Sequence, residues 1–217
     1  MGIYVEILIL YVVLFFSGSA ALILGGTAEA TAFSATTVLF RIFMYSIPSL
    51  ALIWYLTFKS WKVEYWIIRP GKKDLLAGLI TLPCLLITGF ATTFISSYIG
   101  GTSAQATLPS PSTVTEWVIL GFSLFFAAYL EESFFRFYLL TRRQEMNLNA
   151  PSALALSIAL FSICHIYEGP WGFLNAVFSS AILGFVFLRY NSLHGVAIAH
   201  GFYNIIVYAL NSKLEGI

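Results

Sequence analysis

Three short stretches hold residue types able to do chemistry: EESFFR at 131–136, FSICH at 161–165 and HGFYN at 200–204. Residues four apart share a helix face, while adjacent ones diverge by about 100°. Glu132 and Arg136 can therefore pair, and Glu131 points elsewhere with no partner on its own helix. A carboxylate free of a structural pair, within reach of a water, is what a general base requires. Phe161 and His165 share a face. Phe161 reads as packing, and a lone histidine on an apolar face is by itself more often a satisfied core group. His200 and Asn204 also share a face and can donate hydrogen bonds toward one point, with Gly201 removing bulk beside them. Taken singly, each set has a structural explanation, since Glu–Arg pairs and His or Asn bonds also tie membrane helices together.

The setting makes those explanations weaker. The 217-residue chain is 59% hydrophobic and 10% charged, with mean hydropathy +0.86, whereas a soluble domain is about 25% charged. The fold class is all-α: a polytopic transmembrane helical bundle of about seven spans, at 4–24, 36–58, 75–99, 114–140, 151–167, 171–189 and 193–211. A span needs about 20 apolar residues, so the fifth is short, and the fourth is long enough to tilt or protrude. Pro48 and Pro83 are expected to kink the second and third spans. Ionisable residues at membrane depth are costly and mark function. At about 1.5 Å per residue, Glu131, His165 and Asn204 all lie about 13 to 20 Å from the same membrane face. Costly groups from three helices converge on one level.

Charge orients the bundle. Lys59, Lys62, Arg69, Lys72, Lys73, Arg142, Arg143 and Arg189 fall on one face of a seven-span chain, and Lys213 lies opposite. The positive-inside rule then puts the N-terminus in the cytoplasm and the C-terminus on the opposite side. The first apolar run is read as a retained helix and not a signal peptide, because Glu6 stands where a signal carries Lys or Arg. Arg41 sits where it can snorkel, His194 at the cytoplasmic interface, and Glu168 in a solvated loop. Cys84 and Cys164 lie in apolar runs and suggest no disulfide. The net charge of +1 gives no reason to expect nucleic acid. The expected division is N-terminal helices without a motif over 1–113 and a core over 114–211.

In order and type, the three motifs resemble those of the type II CAAX prenyl proteases and their prokaryotic relatives, the CPBP or Abi intramembrane proteases, whose pattern is EExxxR, FxxxH and HxxxN or HxxxD on three helices. The resemblance covers roughly residues 114 to 211. It implies hydrolysis of a peptide bond by a glutamate-activated water. Glu131 and His165 would position and deprotonate the water, His200 and Asn204 would form the oxyanion hole, Glu132 and Arg136 would organise the site, and Phe161 would pack against it. No cofactor is required in this reading. The family has also been described as metalloproteases, in which case Glu131, His165 and His200 would be the zinc ligands. The implied partner is a peptide or protein entering from the bilayer, prenylated in CAAX processing proper. Two other classes compete: a non-enzymatic immunity or partner-binding protein of the same fold, and a proton-relaying transporter. Complete motifs favour the enzyme, and no internal repeat supports the transporter.

Overall fold

The computed structural model describes residues 2–16, 33–60, 67–99 and 110–214. Among these, seven apolar helical segments and no strand are found. They are α1 (Ile3–Phe16), α2 (Ala35–Lys59), α3 (Lys72–Ile99), α4 (Val114–Gln144), α5 (Ala150–Cys164), α6 (Gly169–Tyr190) and α7 (Leu193–Leu214). With α6 extended back to Ile166, five of them, α2, α3, α4, α6 and α7, are long and apolar enough to cross a membrane. The segments α1 and α5 are shorter, and the rest of the expected first span lies outside the described residues. The helical membrane bundle is as the composition implies, with a span count that is approximate.

Local sequence sets the helix ends. Thr113 and Glu116 form a capping box at the start of α4, and Asn149 accepts from Ser152 N at the start of α5, each satisfying amides with no partner inside the helix. Gly169, at φ 79°, allows the chain to turn from His165 into α6. Asn191 in the left-handed conformation closes α6.

Packing follows from close approach. α7 lies between α3 and α4, while α6 packs on α3 and α5. Gly195 meets the carbonyl of Asp74 and the side chain of Ala77. A Cβ on Gly201 would fall 2.5 Å from a ring carbon of Phe125 on α4. Small residues of this kind are how membrane helices bring their backbones together.

The helices are not uniformly α. Each of α1, α2 and α4 contains a π turn, at Val12–Phe16, Ile42–Ser46 and Ser133–Tyr138. The turn in α2 comes just before Pro48, whose ring cannot supply the next ladder amide. The helix α3 runs through Pro83 as one continuous α-helix. The π turn of α4 is wholly buried and touches α2, α5, α6 and α7.

Candidate active site

The site is built outward from that π turn. A π turn widens the helix and often marks function, and here each polar group it presents is tied to a different helix. Trp54 Nε1 of α2 donates to Ser133 Oγ at 2.9 Å. Ser157 Oγ of α5 donates to the Phe135 carbonyl at 2.8 Å. Arg136 Nη2 donates to Ser180 Oγ of α6 at 3.1 Å and to the Ser180 carbonyl at 3.3 Å. The motif EESFFR is thus fixed from three sides before its carboxylates are considered.

Glu132 and Arg136 form the expected pair, with Nε 3.1 Å from Oε2 and both side chains fully buried. Those two atoms are too poorly aligned to hydrogen-bond, and Arg136 Nη1 has no hydrogen-bond partner among the described residues. The guanidinium instead lies over Phe161, 4.7 Å from the ring centroid, a cation–π contact that gains from the dry surroundings. The pairing is therefore as the four-residue spacing implies, but it is a charge contact more than a directed bond.

His200 meets both carboxylates. Its Nδ1 stands 2.9 Å from Glu132 Oε1, and its Nε2 stands 3.8 Å from Glu131 Oε2. Nδ1 donates to Glu132, the partner of Arg136, and Nε2 faces Glu131. Glu131 is the more open carboxylate, its side chain 23% exposed against 0% for Glu132. The sequence reading gave Glu132 to Arg136 alone; in the fold it is shared between Arg136 and His200.

Phe161 is the ring around which the motifs gather. His165 stacks on it at 4.5 Å and His200 lies 6.1 Å away, centroid to centroid. Phe135, from the π turn, meets it edge-on at 5.2 Å. His165 Nδ1 lies 2.8 Å from the Phe161 carbonyl and donates to it, so Nε2 is left with its lone pair outward. His165 is half-buried at the C-cap of α5. Asn204 is half-buried one turn beyond His200 and, among the described residues, joins none of these contacts. Six of the seven sequence-derived residues are thus linked, and Asn204 is placed beside them by its helix.

The weaker candidates separate cleanly. His194 is consumed by structure: Nε2 donates to the Ile68 carbonyl at 2.7 Å, and Nδ1 accepts from Tyr129 at 3.2 Å. Arg41 is exposed. Glu168 is not a solvated loop residue. It is half-buried and folds back on the first turn of α6, where a Cβ on Gly172 would lie 2.3 Å from its own Cβ. Cys164 is a buried core thiol, and neither it nor Cys84 forms a disulfide. For zinc, the described residues hold no group of three His, Cys, Asp or Glu side chains placed to share an ion. In this arrangement Glu131, His165 and His200 are not placed to share an ion.

Sequence reasoning gave no role to the first three helices, and the structure gives roles to at least two of them. Tyr11 of α1 donates to the Leu160 carbonyl of α5 at 2.9 Å and accepts from Cys164 Sγ at 3.4 Å, in the turn that carries His165. Glu6 Oε1 accepts from Tyr138 at 2.6 Å and from Arg142 at 2.5 Å. Trp54 supports Ser133. The one signal available was Glu6 itself, a carboxylate near the start of an apolar run.

Fold and site together define a helical membrane protein with two carboxylates, an arginine and two histidines gathered inside the bundle. Residues 113–206 match the family described as type II CAAX prenyl endopeptidase Rce1-like. The match bears out the resemblance carried by the three motifs. Comparison with curated proteins and with solved structures gives no match.

Proposed function

We propose that the protein is a membrane-embedded endopeptidase that hydrolyses a peptide bond of a membrane-associated or lipidated protein, with a glutamate and not a metal activating the water. The observation that carries this reading is His200 held between two unequal carboxylates, one neutralised and sealed, the other open. Glu131 takes a proton from water as the water oxygen attacks the scissile carbonyl carbon. His165, its Nδ1 committed to Phe161, accepts from the same water through Nε2 and orients it. The carbonyl oxygen becomes an oxyanion, and His200 Nε2 and the Asn204 amide donate to it. Because Nδ1 already donates to Glu132, His200 serves this purpose with both nitrogens protonated. Collapse breaks the C–N bond, and the proton held by Glu131 passes to the leaving nitrogen. Glu132, Arg136 and Ser180 hold His200 in place, and Phe161 packs His165 against the same cluster.

The test compares membranes carrying the wild type with membranes carrying Glu131→Gln. Substrates should accumulate uncut with the variant, and their cleavage sites should be recovered only with the wild type. Identical membrane proteomes, with both proteins folded, would defeat the reading in favour of a partner-binding protein.

A further inference from the structure

Away from the site, α3 and α6 enclose a groove of about 470 Å³ on the outside of the bundle. Its wall is Ile80 and Cys84 on one side and Ala181, Ile182, Phe185 and Val186 on the other, and it ends at Arg189 and Tyr190. Along α6 it runs from Ala181 to Tyr190, about 14 Å at the helical rise. Half of a hydrocarbon core about 30 Å thick is close to the same length. The groove therefore has the depth of one leaflet, with an apolar floor and a cation at the end where headgroups lie.

The charge at that end is unbalanced. Arg189 is exposed, forms no ion pair among the described residues, and rests its guanidinium 5.5 Å from the Tyr190 ring centroid. Lys73 donates to the Asn191 carbonyl at 3.0 Å, so it stands within the same corner, beside Lys72 in sequence. Asp74, beside Lys73, offsets one of the three basic charges of this corner, Lys72, Lys73 and Arg189. Its Oδ1 accepts from Ser192 and its Oδ2 from Gly71 N. Basic pockets between membrane helices are the usual receptors of acidic headgroups. An acyl chain satisfies the floor, but a neutral headgroup leaves Arg189 without a counter-charge.

We propose that this groove is a binding site for one acyl chain of an anionic phospholipid, with Arg189 selecting the phosphate-bearing acidic headgroup. The proposal stands apart from the protease reading, because no catalytic group lines the groove. Cys84, in its wall, reports occupancy directly.

The experiment uses the full chain in neutral detergent. Alkylation of Cys84 is followed by peptide mass spectrometry, which resolves it from the buried Cys164. Dioleoyl phosphatidylglycerol is titrated against dioleoyl phosphatidylcholine, lipids with the same chains and different headgroups. Phosphatidylglycerol should protect Cys84 at about fivefold lower concentration, the factor one basic side chain near an anionic surface supplies. Arg189→Gln, a surface change, should abolish the difference between the lipids, and Arg189→Lys should keep it. Ala181→Phe, which fills the groove, should remove protection by both. Equal protection by the two lipids would overturn the proposal, as would selectivity that survives Arg189→Gln. Protection by a neutral isoprenoid alcohol as strong as by phosphatidylglycerol would also overturn it and assign the groove to an uncharged chain.

Discussion

Glu131 and Glu132 are adjacent, and their surroundings give them different work. Glu132 is sealed among Arg136, His200 and the π turn, so its removal is a structural injury. Glu131 keeps an open edge and one long contact, so Glu131→Gln should leave the fold intact. Turnover in a single-turnover cleavage assay should then fall about 10²- to 10⁴-fold, the usual cost of a lost general base. Arg136→Ala strands a buried carboxylate and the Ser180 acceptors. Breaking comparable buried pairs costs roughly 3–5 kcal/mol, so this variant should show a lowered melting temperature in detergent together with lost activity. Asn204→Ala should melt like the wild type and cleave about 10²- to 10³-fold more slowly, as for a missing oxyanion donor. A normal rate in that variant would remove Asn204 from the proposed oxyanion hole. Activity retained after chelation, with no stoichiometric zinc in the purified protein, is the outcome expected of a glutamate site.

Among the elements, the close contact of α4 and α7 decides whether His200 reaches the glutamates. Gly201 faces Phe125 with no room for a side chain, so Gly201→Ala must displace the ring or the helix. Overpacking of this sort typically costs about 1–3 kcal/mol. Thermal melting and cleavage should both decline in that variant, and an additional Phe125→Ala change should restore them in part. The pairing of Glu132 with Arg136, the shared face of Phe161 and His165, and the buried position of His200 were all legible from helical spacing. The π turn was not. It arises because the Phe135 carbonyl, Ser133 and Arg136 find partners on α5, α2 and α6, and no local pattern announces partners so distant in sequence. For the same reason Trp54 and Tyr11 read as ordinary apolar-run residues until the helices were assembled. Glu168 was misplaced because a short turn followed by Gly169 looks solvated, whereas Gly172 makes room for the carboxylate against α6.

For the whole molecule, the positive-inside rule leads us to expect the basic loops on the cytoplasmic face. Reporter fusions at residues 65 and 107 should therefore report opposite sides, and a shared side would refute the seven-span count. The basic end of the lipid-facing groove falls on the cytoplasmic face in this arrangement, so an anionic inner leaflet would supply its ligand.

The contacts made by α1 bear on how the protein is made. Glu6 waits 136 residues for Arg142, and Tyr11 waits 153 for Cys164. At a synthesis rate of about 5–20 residues per second, that delay is on the order of 10 s. During it, α1 must sit in or beside the bilayer with a carboxylate and a phenol that lack the partners the finished fold gives them. Its docking is a late event in biogenesis, completed only when α4 and α5 have emerged. A ribosome stalled after α3 should leave Glu6 open to modification, and one stalled after α5, with Arg142 and Tyr138 in place, should show slower modification.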